Sequence, residues 1–140
     1  MSQSINTHAA RLLLIEDEPT VARLTELVLT DAGYSVELLS DHGAAPALLS
    51  ETHFDLVICD TDLGARTVGL TGLVPLVEAA CPGPVLLFSA HRFPAAEVAA
   101  AGLAGVIHKP YDIDGLLKQV EEALVKATVA DRAGNRPTTV

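Results

Sequence analysis

Five apolar runs of strand length, each followed by a stretch with helical spacing, constrain this chain more than any other feature. The runs are Arg11–Ile15, Tyr34–Leu38, Phe54–Cys59, Pro84–Phe88 and Ala104–His108. Runs nearly free of polar residues suit strands covered on both faces, whereas Tyr34–Leu38 alternates and suits a sheet edge. The first helical stretch opens at Pro19, carries Val21, Leu24, Leu27 and Val28 at helical spacing, and stops at Gly33. The second spans Ala44–Glu51, where Pro46 is tolerable only in a first turn. The third spans Gly72–Ala80, the fourth Pro94–Ala101, and the last Ile113–Ala127 with Ile113, Leu116, Leu117, Val120 and Leu124 as one stripe.

A βα unit repeated in this way predicts a doubly wound α/β domain, with parallel strands and right-handed crossovers placing helices on both sheet faces. At 140 residues there is room for one such domain. The expected boundaries are a flexible start at 1–10, the domain at 11–127 and a flexible tail at 128–140. With 4% aromatic residues and no Trp, the core has to come from Leu, Val, Ile and Ala. Cys59 falls inside an apolar run and reads as a small buried hydrophobe, and Cys81 has no partner at a metal-ligand spacing.

Nine basic against eighteen acidic residues give a net charge of −9, which disfavours nucleic acid and anionic membranes. The first ten residues lack a signal-peptide pattern, and no apolar run approaches the length of a membrane span. The expectation is a cytoplasmic protein that binds neither nucleic acid nor membrane.

The polar residues at the strand ends carry the chemistry. Glu16, Asp17 and Glu18 follow the first strand, Asp60 the third with Asp62 close behind, Ser89 the fourth, and Lys109-Pro110 the fifth. Parallel sheets bind ligands at the carboxyl ends of their strands, so Glu16, Asp17 and Asp60 should converge on one rim. Adjacent carboxylates repel unless a cation neutralises them, and such oxygen clusters suit Mg²⁺. Lys109 and the Ser89 hydroxyl would serve an incoming phosphoryl oxygen, and Asp60 would be the nucleophile that forms an aspartyl phosphate. Singly, each has an ordinary reading: the acidic run as helix caps, Asp60 as a turn residue, Ser89 as a loop hydroxyl, Lys109 as a solvated charge. Together, at the right strand ends and in the right order, they argue for a site.

With these residues the sequence resembles the response-regulator receiver family, the phosphoacceptor half of two-component signalling. LLLIEDEP, DLVICD, LLFSA and HKP carry the likeness, which covers roughly Arg11–Lys126. It implies a flavodoxin-like sheet of order 2-1-3-4-5. It also implies Asp60 as phosphoacceptor, Ser89 and Lys109 as its helpers, and Mg²⁺ (or Mn²⁺) held by Asp17, Asp60 and the main-chain carbonyl of Asp62. Glu16 would act through water. The implied donor is a sensor histidine kinase or a histidine phosphotransfer protein, with an unknown protein downstream and no further cofactor. The chain would be a self-phosphorylating switch, a single-domain regulator, and not an enzyme.

Two departures from the family stand out. Gly64 replaces the Pro usual four residues after the phosphoacceptor, in a segment, Thr61–Thr71, longer than usual by about four residues that also holds Arg66 and Gly69. Val106 replaces the common Tyr or Phe three residues before the Lys. His91 reads as a loop histidine near the pocket mouth, with tuning of phosphate lifetime as the alternative, and His108 as an ordinary surface residue. Two competing functions are a degenerate receiver that binds partners without phosphate and a small metal-dependent phosphatase on the same fold. Flavin binding is disfavoured, because EDEPT is acidic where a phosphate needs amides and hydroxyls.

Overall fold

The computed structural model describes residues 9–60 and 70–138. Its five strands are β1 (Arg11–Ile15), β2 (Ser35–Leu39), β3 (Leu56–Asp60), β4 (Val85–Ser89) and β5 (Gly105–His108). All pair in parallel in the order β2-β1-β3-β4-β5, as expected for a flavodoxin-like sheet. The alternating run does form an edge, and its neighbour β1 is buried from Leu12 onward.

Five helices connect and flank the strands: α1 (Pro19–Asp31), α2 (Ala45–Glu51), α3 (Val74–Ala80), α4 (Ala95–Ala100) and α5 (Ile113–Thr138). Alternate strand residues point to opposite faces, and the core divides accordingly. Leu12, Leu14, Leu56, Ile58, Leu86, Phe88 and Ile107 pack with Leu29 of α1 and with Leu116 and Val120 of α5. Leu13, Ile15, Val57, Cys59, Val85 and Leu87 pack with Ala45 of α2, Leu76 of α3 and Val98 of α4. Fully burying a Leu or Ile stabilises by about 1.5–3 kcal/mol, so two such layers hold the sheet without a disulfide; both cysteines are free.

Several expectations need correction. Only half of the α1 stripe meets the core: Val21 and Val28 pack against it partly buried beside the buried Ala22, Thr25 and Leu29, while Leu24 and Leu27 stay more than half exposed. Helical spacing alone does not say which of two neighbouring stripes meets the sheet. Helix α3 begins at Val74 rather than Gly72, after a 3₁₀ turn at Leu70–Leu73, with Pro75 in its first turn. Proline has no N–H to give to the helical ladder, so it is tolerated only in the first turn and the α-helix starts beside it. Pro46 does fall in the first turn of α2. At the other end, α5 continues to Thr138 instead of stopping at Ala127. Between Ala127 and Ala133 no Gly or Pro interrupts the sequence, so local propensity gives no reason for the helix to stop at Ala127. Gly33 stops α1 as expected, at a φ of 105° that a side chain would resist. Asp62 and the rest of residues 61–69 lie outside the described residues. Among the described residues, no helix is long and apolar enough to cross a membrane.

Candidate functional site

Strand β1 leads straight into the acidic run, and the structure gives its three members different tasks. Glu18 is a helix cap, its Oε1 accepting the Thr20 N–H at 2.8 Å. Glu16 turns inward; its N–H extends the pairing with β2 by donating to the Leu39 carbonyl at 3.0 Å. Its side chain is buried, with Oε2 accepting the Glu18 N–H at 3.1 Å. Asp17 is partly buried beside it. The capping reading therefore holds for Glu18 and fails for Glu16 and Asp17.

Strand β3 lies between β1 and β4, and Asp60 is its last residue rather than the first of a turn. It is 1% exposed, so a charge there has to be met from within the protein. One carboxylate oxygen from each of Glu16, Asp17 and Asp60 lies within 4.8 Å of the others. Across from them, Lys109 Nζ donates to Asp60 Oδ2 at 2.8 Å and stands 3.4 Å from Glu16 Oε1. Its ammonium also lies 4.9 Å from the centroid of the Phe88 ring, a cation–π contact.

Among the described residues, three carboxylates face one ammonium, which leaves them short of positive charge. Burial first, then the hydrogen bond and charge of Asp60, push the Glu16 carboxyl up to about 7, against the lowering effect of the Glu18 N–H and the Lys109 charge. Burial alone would lower the Lys109 pKa, but the hydrogen bond and charge of Asp60, with the charge of Glu16, hold it above its ordinary value. Glu16 Oε1 is buried without a hydrogen-bond partner among the described residues. A buried acidic oxygen with an ion pair to Lys109 but no hydrogen bond, in an over-acidic pocket, suits a cation. Glu16, Asp17 and Asp60 could hold a divalent metal.

A pH dependence follows for metal-free protein. A carboxyl that titrates near 4.5 when unfolded and near 7 when folded binds more protons in the folded state between those values. Its contribution to stability is present below pH 4.5 and is lost as pH rises toward 7. In chelator, the parent should therefore lose stability relative to Glu16→Gln over that window. Parallel melting-temperature curves for the two proteins would contradict this.

The remaining predicted residues occupy the same rim. Ser89 ends β4 fully buried, its Oγ accepting the His91 N–H at 2.9 Å. The Lys109 N–H donates to the Ser89 carbonyl at 2.9 Å, which ties the ends of β4 and β5 together. The Lys109–Pro110 peptide is cis. Val106 pairs with Leu87 and is partly buried, and His91 and His108 are exposed. Cys59 sits beside Asp60, but burial pushes its thiol up to about 12, so it stays protonated and unreactive. Two residues went unnoticed in the sequence: Phe88 beneath the ammonium, and Tyr111, whose ring lies 5.5 Å from Phe88. Their signal was scarcity. The chain has three Phe and two Tyr, and one of each flanks the site.

Comparison with known proteins places this geometry in context. The family described as the response regulator receiver domain matches residues 12–121. The transcriptional regulatory protein GlrR of Escherichia coli (strain K12) is 32% identical over 124 residues, covering 86% of this chain and 28% of GlrR. The transcriptional regulatory protein DltR of Streptococcus agalactiae is 31% identical over 132 residues, covering 89% of this chain and 58% of DltR. Among solved structures, the chemotaxis response regulator CheY4 of Vibrio cholerae aligns with a TM-score of 0.71 at 26% identity, over 82% of this chain and 98% of CheY4. The chain thus spans 28% and 58% of those two curated relatives and nearly the whole of the chemotaxis regulator.

Proposed function

The chain belongs to the response regulator receiver family, a family of signalling modules phosphorylated by histidine kinases, and from that premise we propose that Asp60 is the phosphoacceptor. The observation that carries the reading is the buried Asp60 carboxylate, held at 2.8 Å by Lys109 and gathered with Glu16 and Asp17 at the end of a central strand. An Asp60 oxygen attacks the phosphorus of a phosphohistidine, the phosphorus–nitrogen bond breaks, and the leaving imidazole keeps the electron pair. Phosphoryl transfer asks a protein mainly for positioning and charge neutralisation. Lys109 supplies one fixed positive charge, and the Ser89 hydroxyl can donate to a phosphoryl oxygen in a charge-assisted bond. Asp17 and Asp60 would hold Mg²⁺ or Mn²⁺ with Glu16 assisting through water and Asp62 offering its main-chain carbonyl. Bound there, the cation supplies the charge that lets Asp60 and a phosphoryl group share one pocket.

The donor in this reading is a sensor histidine kinase or a histidine phosphotransfer protein, and the output is altered binding to a downstream protein. The test is intact mass after incubation with acetyl phosphate and Mg²⁺. A gain of one phosphoryl group is expected; an unchanged mass would favour a module that binds partners without phosphate.

Val106 affects how the signal leaves. A β-branched Val is stiff at χ1 and has no ring to sweep between solvent and interior. Ser89 is instead tied through its Oγ to the backbone of His91, at the start of the segment that leads into α4. Helix α4 is six residues long and buries only Val98, so repacking it costs little. On binding beryllofluoride, amide exchange should change most in Ser89–Gly102 while Val106 keeps its rotamer. A silent Ser89–Gly102 beside a large response in β5 would contradict this.

A further inference from the structure

Tyr111 stands two residues past Lys109, where β5 turns into α5, and the proposed chemistry makes no use of it. Its ring lies 5.5 Å from that of Phe88, tilted by 43°. The same Phe88 ring carries the Lys109 ammonium, 4.9 Å from its centroid. At its far end the Tyr111 hydroxyl meets Thr25 Oγ1 at 3.2 Å, and Thr25 is fully buried in α1. One unbroken chain of contacts therefore runs from α1 through Thr25, Tyr111 and Phe88 to the ammonium that bonds Asp60.

Lys109 needs such support. Its ammonium is a compact charge on a flexible four-carbon stem, so the residue does not aim itself. Asp60 and Glu16 attract it from one side, and both are carboxylates that a cation would also engage. The Phe88 face and the backbone of the β5–α5 turn are the two supports that do not depend on those carboxylates. Tyr111 acts on both, touching Phe88 with its ring and fastening the turn to α1 with its hydroxyl.

We propose that Tyr111 is a positioning residue for Lys109, its hydroxyl locked to Thr25 so that turn and Phe88 ring together keep the ammonium aimed at Asp60. The inference rests on the reading of Asp60 as phosphoacceptor and adds a residue to that site.

Tyr111→Phe deletes one oxygen and keeps the ring, and Thr25→Val keeps the shape of the threonine. Each should slow labelling by acetyl phosphate roughly three- to tenfold, the factor that one ordinary hydrogen bond represents. The double variant should be no slower than the slower single, because both changes remove the same contact. In metal-free protein labelled with ¹⁵N-lysine, the Lys109 ammonium resonance should move in both single variants. A contact that only stabilises the fold would lower the melting temperature and leave rate and resonance at parental values. That result, or a double variant slowed by the product of the two single factors, overturns the proposal. If the parent takes up no phosphoryl group, the phosphoacceptor reading is what fails, and the Lys109 resonance decides the positioning role by itself.

Discussion

Asp60→Asn should abolish the phosphoryl mass gain. The substitution keeps the size and planarity of the side chain and removes the nucleophile, since a neutral amide oxygen does not form a stable phosphoryl bond. It should not abolish the fold. Among the described residues of the parent, three carboxylates face a single ammonium, so replacing one of them relieves repulsion that burial makes expensive. Metal-free Asp60→Asn should melt no lower than the parent, and an NH₂ group turned away from Lys109 still leaves an amide oxygen to accept from it. Loss of labelling together with retained stability is the joint outcome that assigns the chemistry to this residue. Labelling at the parental rate would move the phosphoacceptor elsewhere.

Removing the divalent cation should suppress labelling nearly as completely. The pocket already carries more negative than positive charge, with Glu16 Oε1 buried and without a hydrogen bond among the described residues. A phosphoryl group adds further negative charge beside it. A cation at such a point is worth several kcal/mol, and each ~1.4 kcal/mol is tenfold, so excess chelator should slow labelling by about a hundredfold or more. Asp17→Ala should reproduce much of that loss and weaken Mg²⁺ binding measured directly by calorimetry. Asp17 is a sharper probe than Glu16, whose substitution also changes the buried contacts to Lys109 and to the Glu18 N–H. Equal rates with and without chelator would remove the metal from the account.

Most of the fold was open to reading because apolar runs and breakers both carry local physical meaning. The bounds of Arg11–Ile15 were legible because Pro19 opens a helix four residues on and leaves the strand little room to continue. The limits of β3 were less visible: Asp60 belongs to the strand because its carboxylate is satisfied by Lys109, a partner forty-nine residues away in sequence that no local pattern reveals. The same distance effect hid the orientation of α1. Leu24 and Leu27 are more apolar than Ala22 and Thr25, yet the smaller pair faces the sheet, and Thr25 is buried because Tyr111 meets its hydroxyl. The end of α5 lies beyond Ala127 because the residues from Ala127 to Ala133 hold no Gly or Pro to break a helix, and a flexible-looking composition further on does not mark where it stops. At the site, Glu16, Asp17, Asp60, Ser89 and Lys109 could all be found from strand ends. Phe88 and Tyr111 could not, because an aromatic in a core strand and another at a helix start look like ordinary packing until the ammonium above them is located.

In the proposed reaction one particular carboxylate, that of Asp60, receives the phosphoryl group, and chemical trapping reads that position directly. Borohydride converts an aspartyl phosphate to homoserine, which peptide mass spectrometry locates by residue. After acetyl phosphate and Mg²⁺, homoserine should be found at position 60, with none at Asp17 and no 5-hydroxynorvaline, the corresponding product from a glutamyl phosphate, at Glu16. Homoserine at any other position, or phosphate retained on His91 or Ser89 with Asp60 intact, would contradict the account.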